Sequence, residues 1–161
     1  VYNTANNKLK ETSKTNPRSL YAKLKLDSEN YIKKNYTKYS IIRLFNVFGS
    51  NQPKNHFIPD IKEKIKLRKI IKIDNSIRDF IHVSDAVYAI NFIINKKIYK
   101  IVNVGSSKGV SLKNIVKKIS TKLKIKPNVQ IKNTKTKLVA DISLLKSLGY
   151  RSQSYEKYLN F

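Results

Sequence analysis

The feature that most limits how this chain can fold is an alternation. Short runs rich in branched and aromatic residues, SIIRLFNVFG (40–49), IIKI (70–73) and KIVNVG (100–105), are separated by longer lysine-studded segments whose apolar residues recur at helical spacing. The short runs have the length and composition of buried strands, and two of them close on glycine. Between and around them lie the helical candidates. Leu20, Leu24, Tyr31 and Ile32 predict a helix from Leu20 to about Tyr36, with Ser19 as its N-cap. Phe57, Ile58, Ile61 and Ile65 predict another, starting near Pro59. SDAVYAINFIINK predicts a third, capped by Ser84 or Asp85, with Val87, Ile90 and Ile94 on its apolar face. SLKNIVKKISTKL (111–123) predicts a fourth, capped by Ser111, with Leu112, Ile115, Val116, Ile119 and Leu123 turned inward. VQIKN is a further strand candidate, and ISLLKSLG a short helix ended by Gly149. Residues 3–19 are polar, carry Pro17 and read as a surface loop. Strands alternating with helices imply an α/β fold with a mostly parallel sheet.

The chain has 161 residues, one domain's worth, and 40% apolar residues, enough for a core. Its formal net charge of +24 would suit a polyanionic partner. Yet only Arg18, Arg43, Arg68, Arg78 and Arg151 among its 34 basic residues are arginine, the residue that reads phosphates and bases in bidentate fashion. Lysine, isoleucine and asparagine are enriched together in helices and loops alike, the mark of codon drift toward adenine and thymine. No nucleic-acid partner is therefore expected. The absence of cysteine removes disulfides, thiolate nucleophiles and cysteine zinc sites. The longest apolar stretch, AVYAINFII, falls short of the ~20 residues a membrane span needs, so no membrane partner and a cytoplasmic location are expected.

Tyr21 and Lys25 stand four apart in SLYAKLKLDSENYI. On a helix, such positions share a face about 6 Å apart. A lysine ammonium there stabilises phenolate and turns tyrosine into a usable general base. In a chain with ten tyrosines and so much lysine, the same spacing also describes an ordinary solvated helix face.

The neighbourhood of that pair carries a resemblance. VYN, a polar loop with Glu11, Thr12, Pro17 and Ser19, then YAKLK, IIRLFNVFG, HFIP, IRDFIHVSDAVYA, VNVGSSKGVSL and ADISLLKSLGY follow one another in order. This series resembles the extended short-chain dehydrogenase/reductase family, and within it the NAD-dependent nucleotide-sugar epimerases and dehydratases. RLFNVFG followed by RDFIHVSD is the specific part. The resemblance implies an α/β fold holding the later half of a Rossmann-type doubly wound parallel sheet, interleaved over residues 1–161 with a small α/β substrate-binding part. It implies that Tyr21 is the acid/base on a sugar hydroxyl and that Lys25 binds the nicotinamide ribose. Phe45 and Val47 would lie near the nicotinamide of NAD, the cofactor implied in preference to NADP. Asn46 would sit beside the substrate diphosphate and Arg78 would clamp it, while Asn55, His56 and Phe57 would lie in the segment that touches the nucleotide base. Asp79 and His82 read as structural, and no metal site is implied. The partner would be a nucleotide-diphosphate sugar, with homodimers in the full-length protein.

Departures from the family pattern set further expectations. The four glycines, at 49, 105, 109 and 149, form no G-x-x-G-x-x-G turn to receive a cofactor pyrophosphate. The family's catalytic Ser/Thr belongs upstream of Val1, and position 3 is Asn where glycine is common. The chain thus reads as the C-terminal half of such an enzyme, lacking roughly 120 residues or about four βα units, and as an isolated chain it is expected to be inactive. Glu29, four residues after the lysine, is closer to the epimerase and reductase branch than to the 4,6-dehydratases, where aspartate is usual. The expected activity is UDP-glucose 4-epimerase-like, through a keto-sugar intermediate. A 4,6-dehydratase or reductase, or a non-catalytic fragment, is the alternative.

Overall fold

The computed structural model describes residues 1–2 and 7–152. In chain order the elements are α1 (Leu20–Asn35), β1 (Ile41–Leu44), β2 (Asn46–Phe48), α2 (Phe57–Lys66), β3 (Ile70–Asp74), β4 (Ile77–His82), α3 (Val83–Asn95), β5 (Ile101–Val104), β6 (Gly109–Ser111), α4 (Leu112–Leu123), β7 (Asn128–Lys132), β8 (Lys137–Leu138) and α5 (Ser143–Ser147). The fold is α/β, and parallel pairing dominates. β1 pairs with β5, β2 with β4, β3 with β7 and β8 with β4, all parallel, while β6 alone runs antiparallel to β4.

The apparent single strand at 40–49 is two. Ile41–Leu44 lies beside β5, and Asn46–Phe48 lies beside β4. The chain changes sheet at Phe45, whose amide still donates to the Val104 carbonyl at 3.0 Å.

Two apolar cores flank this switch. One joins α2 and α4 over β3 through Ile61, Ile65, Ile71, Ile115 and Ile119. The other joins α3 and α5 over β5 through Ala89, Ile93, Val102, Val104 and Leu145. Among the described residues, no helix is long and apolar enough to cross a membrane.

Several sequence expectations shift. α2 begins at Phe57, two residues before Pro59, because a proline in the first turn gives up no intrahelical hydrogen bond. α3 begins at Val83, and its cap is neither Ser84 nor Asp85. The His82 side chain takes that place and accepts from the Ser84 amide at 3.3 Å. Its buried face is Asp85, Ala86, Ala89 and Ile93, whereas Val87 and Ile94 face solvent. Within 3–19, the described residues 7–19 are more than a surface loop. Leu9 is buried and bridges Ala140 in parallel, and Tyr2 bridges Thr15. Position 3 lies outside the described residues.

The expected caps at Ser19 and Ser111 are present, accepting from the amides of Ala22 and Asn114 at 3.2 Å each. Gly149 follows α5 with φ +95°, a backbone state open to glycine at little cost.

Candidate active site

A cleft of about 560 Å³ opens beside the sheet switch. Tyr21, Lys25, Ser28 and Glu29 line it from α1, and Arg43, Phe45 and Asn46 from the strand side, with Tyr2 from the N-terminal segment. Tyr21 and Lys25 therefore share one face of α1 and one cleft, as i,i+4 spacing requires. The Lys25 ammonium lies 5.6 Å from the centroid of the Tyr21 ring, a cation–π distance. The Tyr21 side is open, with 70% of the residue exposed.

Phe45 is half-buried and packs against Tyr2, ring centroids 6.1 Å apart. Asn46 is anchored by its side-chain amide, which donates to the Asp79 carbonyl at 2.8 Å. Its backbone thereby holds β2 to β4 at the mouth of the cleft.

Val47 does not line the cleft. It packs against the α3 side core, and its carbonyl accepts from Gln52 Nε2 at 2.9 Å. Asn55, His56 and Phe57 also stand apart, at the start of α2. Asn55 and His56 are exposed, and His56 Nδ1 lies 3.1 Å from Gln52 Nε2. Phe57 turns inward onto Phe80, centroids 6.1 Å apart. Arg78 is half-buried and directs its guanidinium to Thr136: Nη2 donates to the hydroxyl at 2.8 Å and Nη1 to the carbonyl at 3.2 Å. Burial pulls its pKa down, opposed by the charge of Asp74.

Asp79 has the structural role its sequence context suggested. Fully buried, its carboxylate accepts from the Ser106 amide and hydroxyl, the Ser107 amide at 2.9 Å and the Ala140 amide at 3.1 Å. Desolvation still raises its pKa, against those hydrogen bonds. Gly105 lets this happen, because a Cβ there would meet Asp79 Oδ2 at 2.8 Å.

Sequence reasoning missed the polar cluster beneath the cleft. Arg43 forms a bidentate pair with Glu29, Nε to Oε1 at 2.8 Å and Nη2 to Oε2 at 2.6 Å. Both residues are buried. Nη1 donates to the Glu11 carbonyl at 3.0 Å, and the guanidinium lies 4.7 Å from the Tyr2 ring centroid. Burial alone would lower the Arg43 pKa, but hydrogen bonds to Glu29 and Tyr2 push it further up. Tyr2 donates to Asn103 Oδ1 at 2.7 Å, and its own pKa is raised chiefly by burial. Asn103 Nδ2 in turn donates to the Leu9 carbonyl at 2.8 Å. The only signal available was one arginine inside an otherwise apolar strand, IIRLF. A buried guanidinium demands a carboxylate, but sequence does not say which.

A family model described as NAD dependent epimerase/dehydratase family matches residues 1–105. No curated protein matches the sequence. Among solved structures, UDP-N-acetylglucosamine 4-epimerase from Methanobrevibacter ruminantium M1, in complex with UDP-N-acetylmuramic acid, superposes with TM-score 0.85 at 28% identity, over 99% of this chain and 57% of that one. UDP-glucuronic acid 4-epimerase from Bacillus cereus, with UDP-glucuronic acid and NAD, gives 0.84 at 20% identity, over 99% and 56%. dTDP-glucose 4,6-dehydratase from Bacillus anthracis str. Ames, with NAD, gives 0.81 at 18% identity, over 96% and 54%. The latter two share the fold. The chain spans a little over half the length of each.

Proposed function

The chain belongs to the NAD dependent epimerase/dehydratase family, and from that premise we propose that it is the substrate-side part, over residues 1–161, of a UDP-sugar 4-epimerase that uses NAD rather than NADP. The observation that carries this reading is the meeting of Tyr21 and Lys25 with Phe45 and Asn46 in one cleft at the sheet switch.

The residues present suit the nicotinamide-ribose end of the cofactor. An exposed lysine ammonium can donate to ribose hydroxyls, and the half-buried Phe45 ring offers a flat apolar wall. NAD bound there would supply a reversible hydride acceptor. Tyr21 takes the proton of the sugar hydroxyl as its carbon becomes a ketone, and gives a proton back on reduction. Lys25 places a positive charge 5.6 Å from the centroid of the Tyr21 ring. Asn46 and Arg78 would bind the diphosphate, Arg78 by exchanging its Thr136 partners for phosphate oxygens. Asn55 and His56 would face the nucleotide base, with Phe57 seating their segment on Phe80, and Val47 would back the nicotinamide wall.

The test is nuclear magnetic resonance titration of the 161-residue chain with UDP-N-acetylglucosamine. Shifts confined to Tyr21, Asn46, Arg78 and the start of α2, reduced at least tenfold in affinity by Arg78→Ala, are expected. No shift at millimolar ligand, or shifts elsewhere, would overturn the reading. A keto-sugar that loses water at C5–C6 instead of being re-reduced would mark the 4,6-dehydratase alternative, which the shared fold of the Bacillus anthracis enzyme keeps open.

A further inference from the structure

α1, which carries the reacting groups, has half-buried apolar contacts only at Ala22, Leu26 and Ile32. Its only buried residue is Glu29. Leu20, Leu24 and Tyr31 are 74%, 57% and 64% exposed. The buried contact of the helix with the sheet is the two-pronged one of Glu29 with Arg43, a residue of β1 that is itself buried on the far side of that strand's exposed Leu44.

The placement of this contact matters. Tyr21, Lys25 and Glu29 follow one another at i, i+4 and i+8, so they descend one side of the helix with a drift of about 40° per step at 100° per residue. All three line the same cleft. On the other side, Arg43 lies two residues before Phe45 and three before Asn46, at the sheet switch. The guanidinium is fixed in turn by the Glu11 carbonyl, by the Tyr2 ring, and through Tyr2 by Asn103, the residue opposite Arg43 in the β1–β5 register. A planar fork matched to a carboxylate sets distance and angle together, which an apolar contact does not.

We infer that Glu29 and Arg43 are positioning residues: their buried ion pair sets the register and rotation of α1 so that Tyr21 and Lys25 face Phe45 and Asn46. The role of the pair rests on Tyr21 and Lys25 being the reacting groups, but the clamp itself can be tested without any ligand.

The chain contains no cysteine, so two introduced ones can carry spin labels. Lys23→Cys on α1 and Asn91→Cys on α3 are exposed positions on the two helices to be compared. Pulsed dipolar spectroscopy should give a narrow distance distribution in this background. Glu29→Gln should widen it at least twofold while circular dichroism reports a folded chain. Arg43→Lys, which keeps the charge and loses the fork, should widen it by an intermediate amount. A distribution in Glu29→Gln as narrow as the parent would overturn the inference. If Glu29→Gln does not fold, the pair Glu29→Leu with Arg43→Leu decides, since a buried ion pair replaced by apolar residues can keep stability. A folded but widened double variant supports the positioning role; a narrow one refutes it. Failure of both variants to fold would make the pair a plain stability element and also refute it. Failure to bind a nucleotide sugar would remove the functional reading and leave this measurement standing.

Discussion

α4 and α1 look alike in sequence and are used in opposite ways. Both are lysine-rich, and both start from a serine whose hydroxyl accepts a backbone amide. α4 buries Ile115, Val116 and Ile119 to 3% exposure or less, against Ile61 and Ile65 of α2. α1 buries no apolar residue at all. Capping and helical propensity therefore make a helix, while the placement of apolar side chains decides whether the core consumes it. A helix consumed by a core cannot present its face to a ligand. In α1 the buried contact is the ion pair of Glu29 with Arg43, with Ala22, Leu26 and Ile32 half-buried around it.

That contrast can be broken at its strongest point first. Glu29→Leu leaves the Arg43 guanidinium buried and unpaired, which should cost about 4 kcal/mol in urea unfolding. Adding Arg43→Leu should recover most of it, and a double variant as unstable as the single one would show that the ion pair is not what holds α1. Ile119→Ala in α4, 1% exposed, should cost about 3 kcal/mol through lost burial and a cavity. A cost under about 1 kcal/mol would mean that α4 is no better packed than α1.

On the α3 side the core has accepted an imperfectly paired carboxylate, and stability there depends on pH. Among the described residues, Asp85 Oδ1 alone is a buried side-chain oxygen without a hydrogen-bond partner. Burial pushes its pKa up, partly offset by His82. The unfolded chain ionises first, near the ordinary value of about 3.9. Stability should therefore fall as pH rises from there through the raised folded value, and stay lower above it. Tyr150, packed against Tyr88 and Phe92, is pushed up to about 12 by burial first and by the charges of Asp85 and Tyr88. A second fall is expected between about 10 and about 12. Urea midpoints of Asp85→Asn should lose the acidic step and narrow the alkaline one. An unchanged profile would place the titration elsewhere. The smallest effect belongs to α1 again: Leu24→Ala, at a position 57% exposed, should change stability by less than about 0.5 kcal/mol.

Much of the architecture was legible. The strands at 70–73 and 100–105, the caps at Ser19 and Ser111 and the turn at Gly149 all follow from periodicity and local hydrogen bonding. So did the helical face shared by Tyr21 and Lys25. Other features were hidden for physical reasons. Arg68, Lys97 and Lys124 take positive φ of 52°, 50° and 55° just past the ends of α2, α3 and α4, where a reader expects glycine and finds lysine-rich sequence instead. The face of α3 was misjudged because Val87 and Ile94 are as apolar as Ile93, and only the neighbours on β4 and β5 decide which side is covered. β8, two residues long, has no period to detect.

Local spacing carries the helices, the strands at 70–73 and 100–105, the caps at Ser19 and Ser111 and the pairing of Tyr21 with Lys25, because all of these depend on residues within a turn or two of one another, whereas the split of 40–49 into β1 and β2 and the strand β4 at Ile77–His82 are set by the partners that pair with them. The tertiary structure alone decided that Glu29 meets Arg43, fourteen residues away, and that Tyr2 meets Asn103, 101 residues away. Buried charges and amides take whichever partners chain crossing brings within hydrogen-bond reach, and spacing along the chain carries no record of those crossings.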